Sequence, residues 1–99
     1  MRMMLKLSMP VDAANTAVKD GSLPRFMQSL MERIKPEAAY FFPEDGKRTA
    51  LFFFQMQDAW QIPVIVEPLF IGMHAAVTLT PAMNADDLQK GLAEAARHR

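Results

Sequence analysis

The chain contains no cysteine. Disulfides, thiolate metal sites and cysteine nucleophiles are excluded, and the composition fits a reducing cytoplasm, the expected location. Charge of one sign is also lacking: 11 basic and 11 acidic residues leave a formal net charge of zero. No global field draws in nucleic acid or an anionic membrane, so neither is an expected partner. Only four glycines are present, and they form no phosphate-cradling loop. The Met1–Lys6 segment has neither a long apolar stretch nor a small-residue cleavage site, so no signal peptide is expected. The most apolar later stretch, Ile62 to Leu79, is interrupted by Pro63, Glu67, Pro68 and His74. A membrane helix needs about 20 mostly apolar residues, and this stretch does not supply them.

What is present is apolar material. Hydrophobic residues make up 51% of the 99. A chain of this length forms one domain, residues 1–99, and buries roughly 65% of the surface its unfolded form exposes. The apolar excess suggests surface that a monomer does not hide.

Met3, Leu5, Leu7 and Met9 alternate with Met4, Lys6 and Ser8, which predicts a first strand ended by Pro10. Asp12 caps a short helix running to Lys19. Ser22, Leu23 and Pro24 start a second helix, along which Leu23, Phe26, Met27, Leu30, Met31 and Ile34 recur at helical spacing. Ala38 to Phe42 reads as a second strand, Pro43 to Lys47 as a turn centred on Asp45-Gly46, and Thr49 to Met56 as a third strand. Asp58 is a candidate cap for a helix over Ile62–Ile71, with Pro68 as a kink and Gly72 as its end. His74 to Thr80 alternates as a fourth strand. Asn84, Asp86 and Asp87 then start a last helix with a thin stripe of Leu88, Leu92 and Ala95 or Ala96. The order is βαββαβ with a C-terminal helix. This is a ferredoxin-like α+β arrangement, with a four-stranded antiparallel sheet and its helices on one face.

The run Ala50-Leu51-Phe52-Phe53-Phe54-Gln55-Met56 is apolar at both parities. Either Leu51 and Phe53 or Phe52 and Phe54 face away from the helices, and periodicity does not decide which. The face opposite the helices is expected to carry Met4, Lys6, Ser8, His74, Ala76, Thr78 and Thr80. An uncovered aromatic strand is an aggregation hazard, so a second copy of the chain is expected to cover it, giving a homodimer through the open sheet face. The last helix folded back is the rival cover, but its stripe is narrow.

With its βαββαβ order, length and two-faced third strand, the chain resembles the dimeric α+β barrel group of ferredoxin-like proteins. The segments Lys47–Phe54, Ile62–Pro68 and Thr80–Leu88 are also similar to small bacterial proteins of unknown function. The resemblance implies two sheets paired around a small cavity. It brings no catalytic motif. The group includes heme-degrading and quinol monooxygenases, chlorite dismutase-like proteins, muconolactone isomerases and stress-responsive proteins, and no residue pattern here selects among them.

Each candidate site residue has a functional and a structural reading. Lys6, mid-strand, could hold an acidic ligand; the commoner role is a stem packed on apolar surface with its ammonium on a carboxylate or in water. His74 could be an acid–base group or a ligand, yet a single histidine without partners is weak evidence for metal, and none is expected. Tyr40 could stack on a ligand while donating a hydrogen bond, though such residues more often sit at a core edge. Glu67, within an apolar helix, could be a base if buried; a helix with one buried stripe points it outward. Gln55 joins Lys6, Tyr40 and His74 as a residue that could line a cavity. Lys47-Arg48 is a two-residue basic spot, far short of a nucleic-acid patch. No cofactor is implied. The leading expectation is a small homodimer that binds a partly apolar molecule. The alternatives are a monooxygenase- or isomerase-like enzyme and an interaction module without a cavity.

Overall fold

Alternating apolar residues place the strands, and helical stripes place the layer above them. The computed structural model describes residues 1–99. Its elements run β1 (Arg2–Ser8), α1 (Val11–Lys19), α2 (Ser22–Ile34), β2 (Ala38–Glu44), β3 (Lys47–Gln55), α3 (Gln61–Met73), β4 (Ala76–Pro81) and α4 (Ala85–Arg97). The four strands form one antiparallel sheet in the order β2-β3-β1-β4. This is the ferredoxin-like arrangement with an extra C-terminal helix, and the first and third strands are central.

Register settles the ambiguous strand. Leu5 pairs with Phe52 and Leu7 with Ala50, so Phe52 and Phe54 share the face of β1 that is apolar at every odd position. That face is the core: Leu5, Leu7 and Phe52 are fully buried beneath Leu30 of α2 and Leu69 of α3. Leu51 and Phe53 therefore point to the other face, beside Met4, and Tyr40 and Phe42 of β2 share it. No helix buries them: Leu51, Phe53 and Met4 are half-buried.

Several boundaries differ from the sequence reading, each for a local reason. Pro10, not Asp12, is the N-cap of α1, and Asp12 lies in its first turn. β2 and β3 extend past the expected turn, pairing Pro43 with Arg48 and Glu44 with Lys47. Asp45 (φ 53°) and Gly46 (φ 73°) alone make the reversal, as a two-residue hairpin with both φ positive requires. Pro43 is tolerated because β2 is an edge strand, where a missing N–H breaks no ladder. Asp58 does not cap α3 with its side chain. Instead the Gln61 side-chain oxygen accepts from the backbone N–H groups of Gln57 and Asp58, at 3.0 and 2.9 Å. α3 continues through Pro68 and past Gly72 to Met73.

α4 begins as its sequence predicts. Asn84 accepts from the Asp87 N–H at 2.8 Å, and Asp87 accepts from the Asn84 N–H at 3.1 Å, a complete capping box. The same Asp87 carboxylate accepts from Arg2 at 3.0 Å, and Arg2 also donates to Glu37. Beyond this anchored base no residue of α4 is buried. The molecule is accordingly long, 55 × 28 × 20 Å, with a radius of gyration of 16.0 Å where a compact chain of this length has about 13 Å.

The Asn84 N–H, foremost, and the Arg2 guanidinium hold the Asp87 carboxyl below its ordinary value of 3.8. A lowered folded-state pKa gives a contribution that is complete above the unfolded value and is lost as pH falls through the folded one. The first turn of α4 should therefore stay intact down to about pH 3.8 and loosen only below it. Amide shifts of residues 84–88 in an NMR titration read this directly; loosening that begins at neutral pH would contradict it.

Candidate functional site

The most apolar recess lies between α2 and the hairpin end of the sheet. Its floor is Met9, the residue just past β1, whose N–H donates to the Arg48 carbonyl at 3.1 Å. Leu23 and Met27 form one wall, because they fall on the inward stripe of α2. Phe41, Phe42 and Pro43 of β2 form the other. The cavity holds about 350 Å³ and is open to solvent. Phe41 is fixed by an edge-to-face contact with the buried Phe52, centroids 5.8 Å apart.

One cation stands at this recess. Arg48 and Thr49 of β3 complete the lining. The Arg48 guanidinium donates to the neutral Asn15 side chain of α1 at 2.9 Å and has no carboxylate within ion-pair distance. Thr49 is buried and donates its hydroxyl to the Lys47 carbonyl. An apolar trough with one oriented, unneutralised guanidinium recognises an apolar body that carries an anionic end. Its lining carries no carboxylate, histidine, lysine or cysteine.

The residues singled out in the sequence are dispersed. Lys6 and Tyr40 share the open sheet face, each opposite Leu51. The Lys6 ammonium is paired with Glu44 of the edge strand. Gln55 is exposed at the far end of β3, opposite Arg2. Glu67 is exposed on α3. His74, expected in the fourth strand and on its open face, precedes that strand: it is the C-cap of α3, left-handed at φ 52°. Its N–H donates to Phe70, and the next N–H to Leu69, which closes the helix. Its side chain borders a separate recess with Asp20 and Ser22. Ser22 donates to Asp20, whose carboxyl is lowered mainly by that contact. No three His, Asp or Glu side chains converge as metal ligands.

Arg48 and its recess were not legible beforehand. The lining comes from positions 9, 23–27, 41–43 and 48–49, which only the fold brings together. The signal available was the parity of Phe41, which register assigns to the helix side opposite Ala50.

No protein-family model matches the chain, and no curated protein is significantly similar to it. No helix is long and apolar enough to cross a membrane.

The left-handed cap makes a prediction for His74. An L-residue there carries a backbone cost that glycine avoids, so His74→Gly should leave stability unchanged or raise it by about 1 kcal/mol. Urea unfolding measures this; a loss beyond about 1 kcal/mol would assign the imidazole a structural contact.

Proposed function

We propose that the protein is a homodimeric binder of small, partly apolar molecules, its dimer formed through the open sheet face. The ligand class best suited to the recess is an amphipathic carboxylate, with its apolar part against Met9, Leu23, Met27 and Phe41 and its carboxylate on Arg48. The observation that carries the reading is the guanidinium held by neutral Asn15 at the lip of an apolar trough. A cation meant only for surface solubility would gain nothing from being oriented there, whereas a fixed planar fork suits a bidentate carboxylate.

The dimer is supported by the open face itself. Met4, Leu51, Phe53 and Phe42 form an apolar patch crossing three strands, with Tyr40 at its edge. The resemblance to the dimeric α+β barrel group points the same way. None of the single chain's recesses described joins two of Lys6, Tyr40, Gln55 and His74, so those residues favour neither the enzyme alternative nor the ligand reading, which rests on Arg48.

Octanoate and octanol separate charge recognition from apolar filling. Isothermal titration should give octanoate binding at least tenfold tighter than octanol. Arg48→Gln should remove that preference while leaving octanol affinity within about twofold, since a good charged hydrogen-bond pair contributes about 1.5–3 kcal/mol. Equal affinities in the parent chain, or no octanoate binding, would refute the proposed ligand class.

A further inference from the structure

We infer that α4 is an exchanged arm, which docks its apolar stripe on the second copy at the border of the paired sheets. The inference rests on the dimer reading above and goes beyond it, because it assigns a helix that the monomer leaves without a partner.

Three observations converge. The first is amphipathicity without burial. Leu88, Leu92 and Ala95 line one side of α4, yet Leu88 is 46% and Leu92 60% exposed. A lone helix of 13 residues is marginal in water and normally draws its stability from packing. Gly91 adjoins this stripe, and nothing lies within 4 Å of where its side chain would begin. A mid-helix glycine costs up to about 1 kcal/mol, and nothing in its own chain accounts for it. Close approach of another surface would.

The second is direction. The capping box and the Asp87–Arg2–Glu37 ion pairs pin the base of α4 to β1 and to the residue just before β2. The helix leaves an edge of the sheet at a fixed origin. An arm so anchored loses little freedom on docking.

The third is area. The chain exposes 6720 Å², whereas a compact monomer of 11.2 kDa exposes about 5,700 Å². The excess, roughly 1,000 Å² per chain, is of the size that one partner contributes to a stable interface, about 800 Å². Two-fold symmetry then satisfies both arms at once, since each copy offers one arm and receives one.

A photo-cross-linking amino acid at position 92, in a mixture of ¹⁴N- and ¹⁵N-labelled chains, tests the exchange. Leu92 is exposed, so the substitution leaves the monomer fold intact. The expected result is cross-linked pairs of mixed isotope that sediment as dimers. A dimer in which the probe reacts only within its own chain, or not at all, would overturn the arm and leave the sheet-face dimer standing. A chain that sediments as a monomer throughout would overturn both. As a second readout, the double variant Leu88→Glu, Leu92→Glu should weaken dimerisation at least tenfold with unchanged far-ultraviolet circular dichroism. Unchanged dimer affinity would count against the arm.

Discussion

A single layer of helices over a four-stranded sheet is the constraint from which the rest follows. α2 and α3 supply Leu30 and Leu69 to one face, where they meet Leu5, Leu7 and Phe52 with no solvent exposure. Ninety-nine residues provide no second layer. The reverse face, with Met4, Leu51 and Phe53, keeps its apolar side chains in reach of water, and α4 stands clear of the body with every residue exposed. Apolar burial contributes about 25 cal/mol per Å², so these uncovered surfaces represent stabilisation that the monomer does not realise.

The Arg48 recess and the open sheet face meet at the edge strand β2. Phe41 faces the helix side and Phe42 the open side, one residue apart on the edge strand β2. Phe42 also lines the recess, so in the proposed dimer the recess borders the covered face. On that covered face the Lys6–Glu44 pair sits beside Leu51. Inside a dimer such a pair would be partly desolvated, which contributes more to fixing register than to affinity.

Much of this architecture could be read before the fold was known, and what could not has physical reasons. The alternation of β1, the stripe of α2, Asp45-Gly46 and the Asn84–Asp87 box are local signals, and each appears where its chemistry dictates. The orientation of Phe52 and Phe53 is not local. Both parities of β3 are apolar, and only pairing with β1 separates them. His74 continues an alternating pattern that side-chain polarity cannot distinguish from a helix cap, because the deciding quantity is a positive φ. Pro43 reads as turn material in the sequence, and its place on an edge strand is what makes it compatible with β2. Of the candidate site residues, Lys6, Tyr40 and Gln55 fall on one face of the sheet, Gln55 at its far end, while Glu67 and His74 lie on separate surfaces. Arg48 is oriented by Asn15, 33 positions away, a contact that no local pattern signals.

In the proposed dimer a second copy covers the apolar face of this sheet. Sedimentation equilibrium across micromolar concentrations tests it most directly. The dimer should show a mass of about 22 kDa, twice the 11.2 kDa chain, with dissociation only on dilution. A constant mass of 11.2 kDa over the whole range would contradict it.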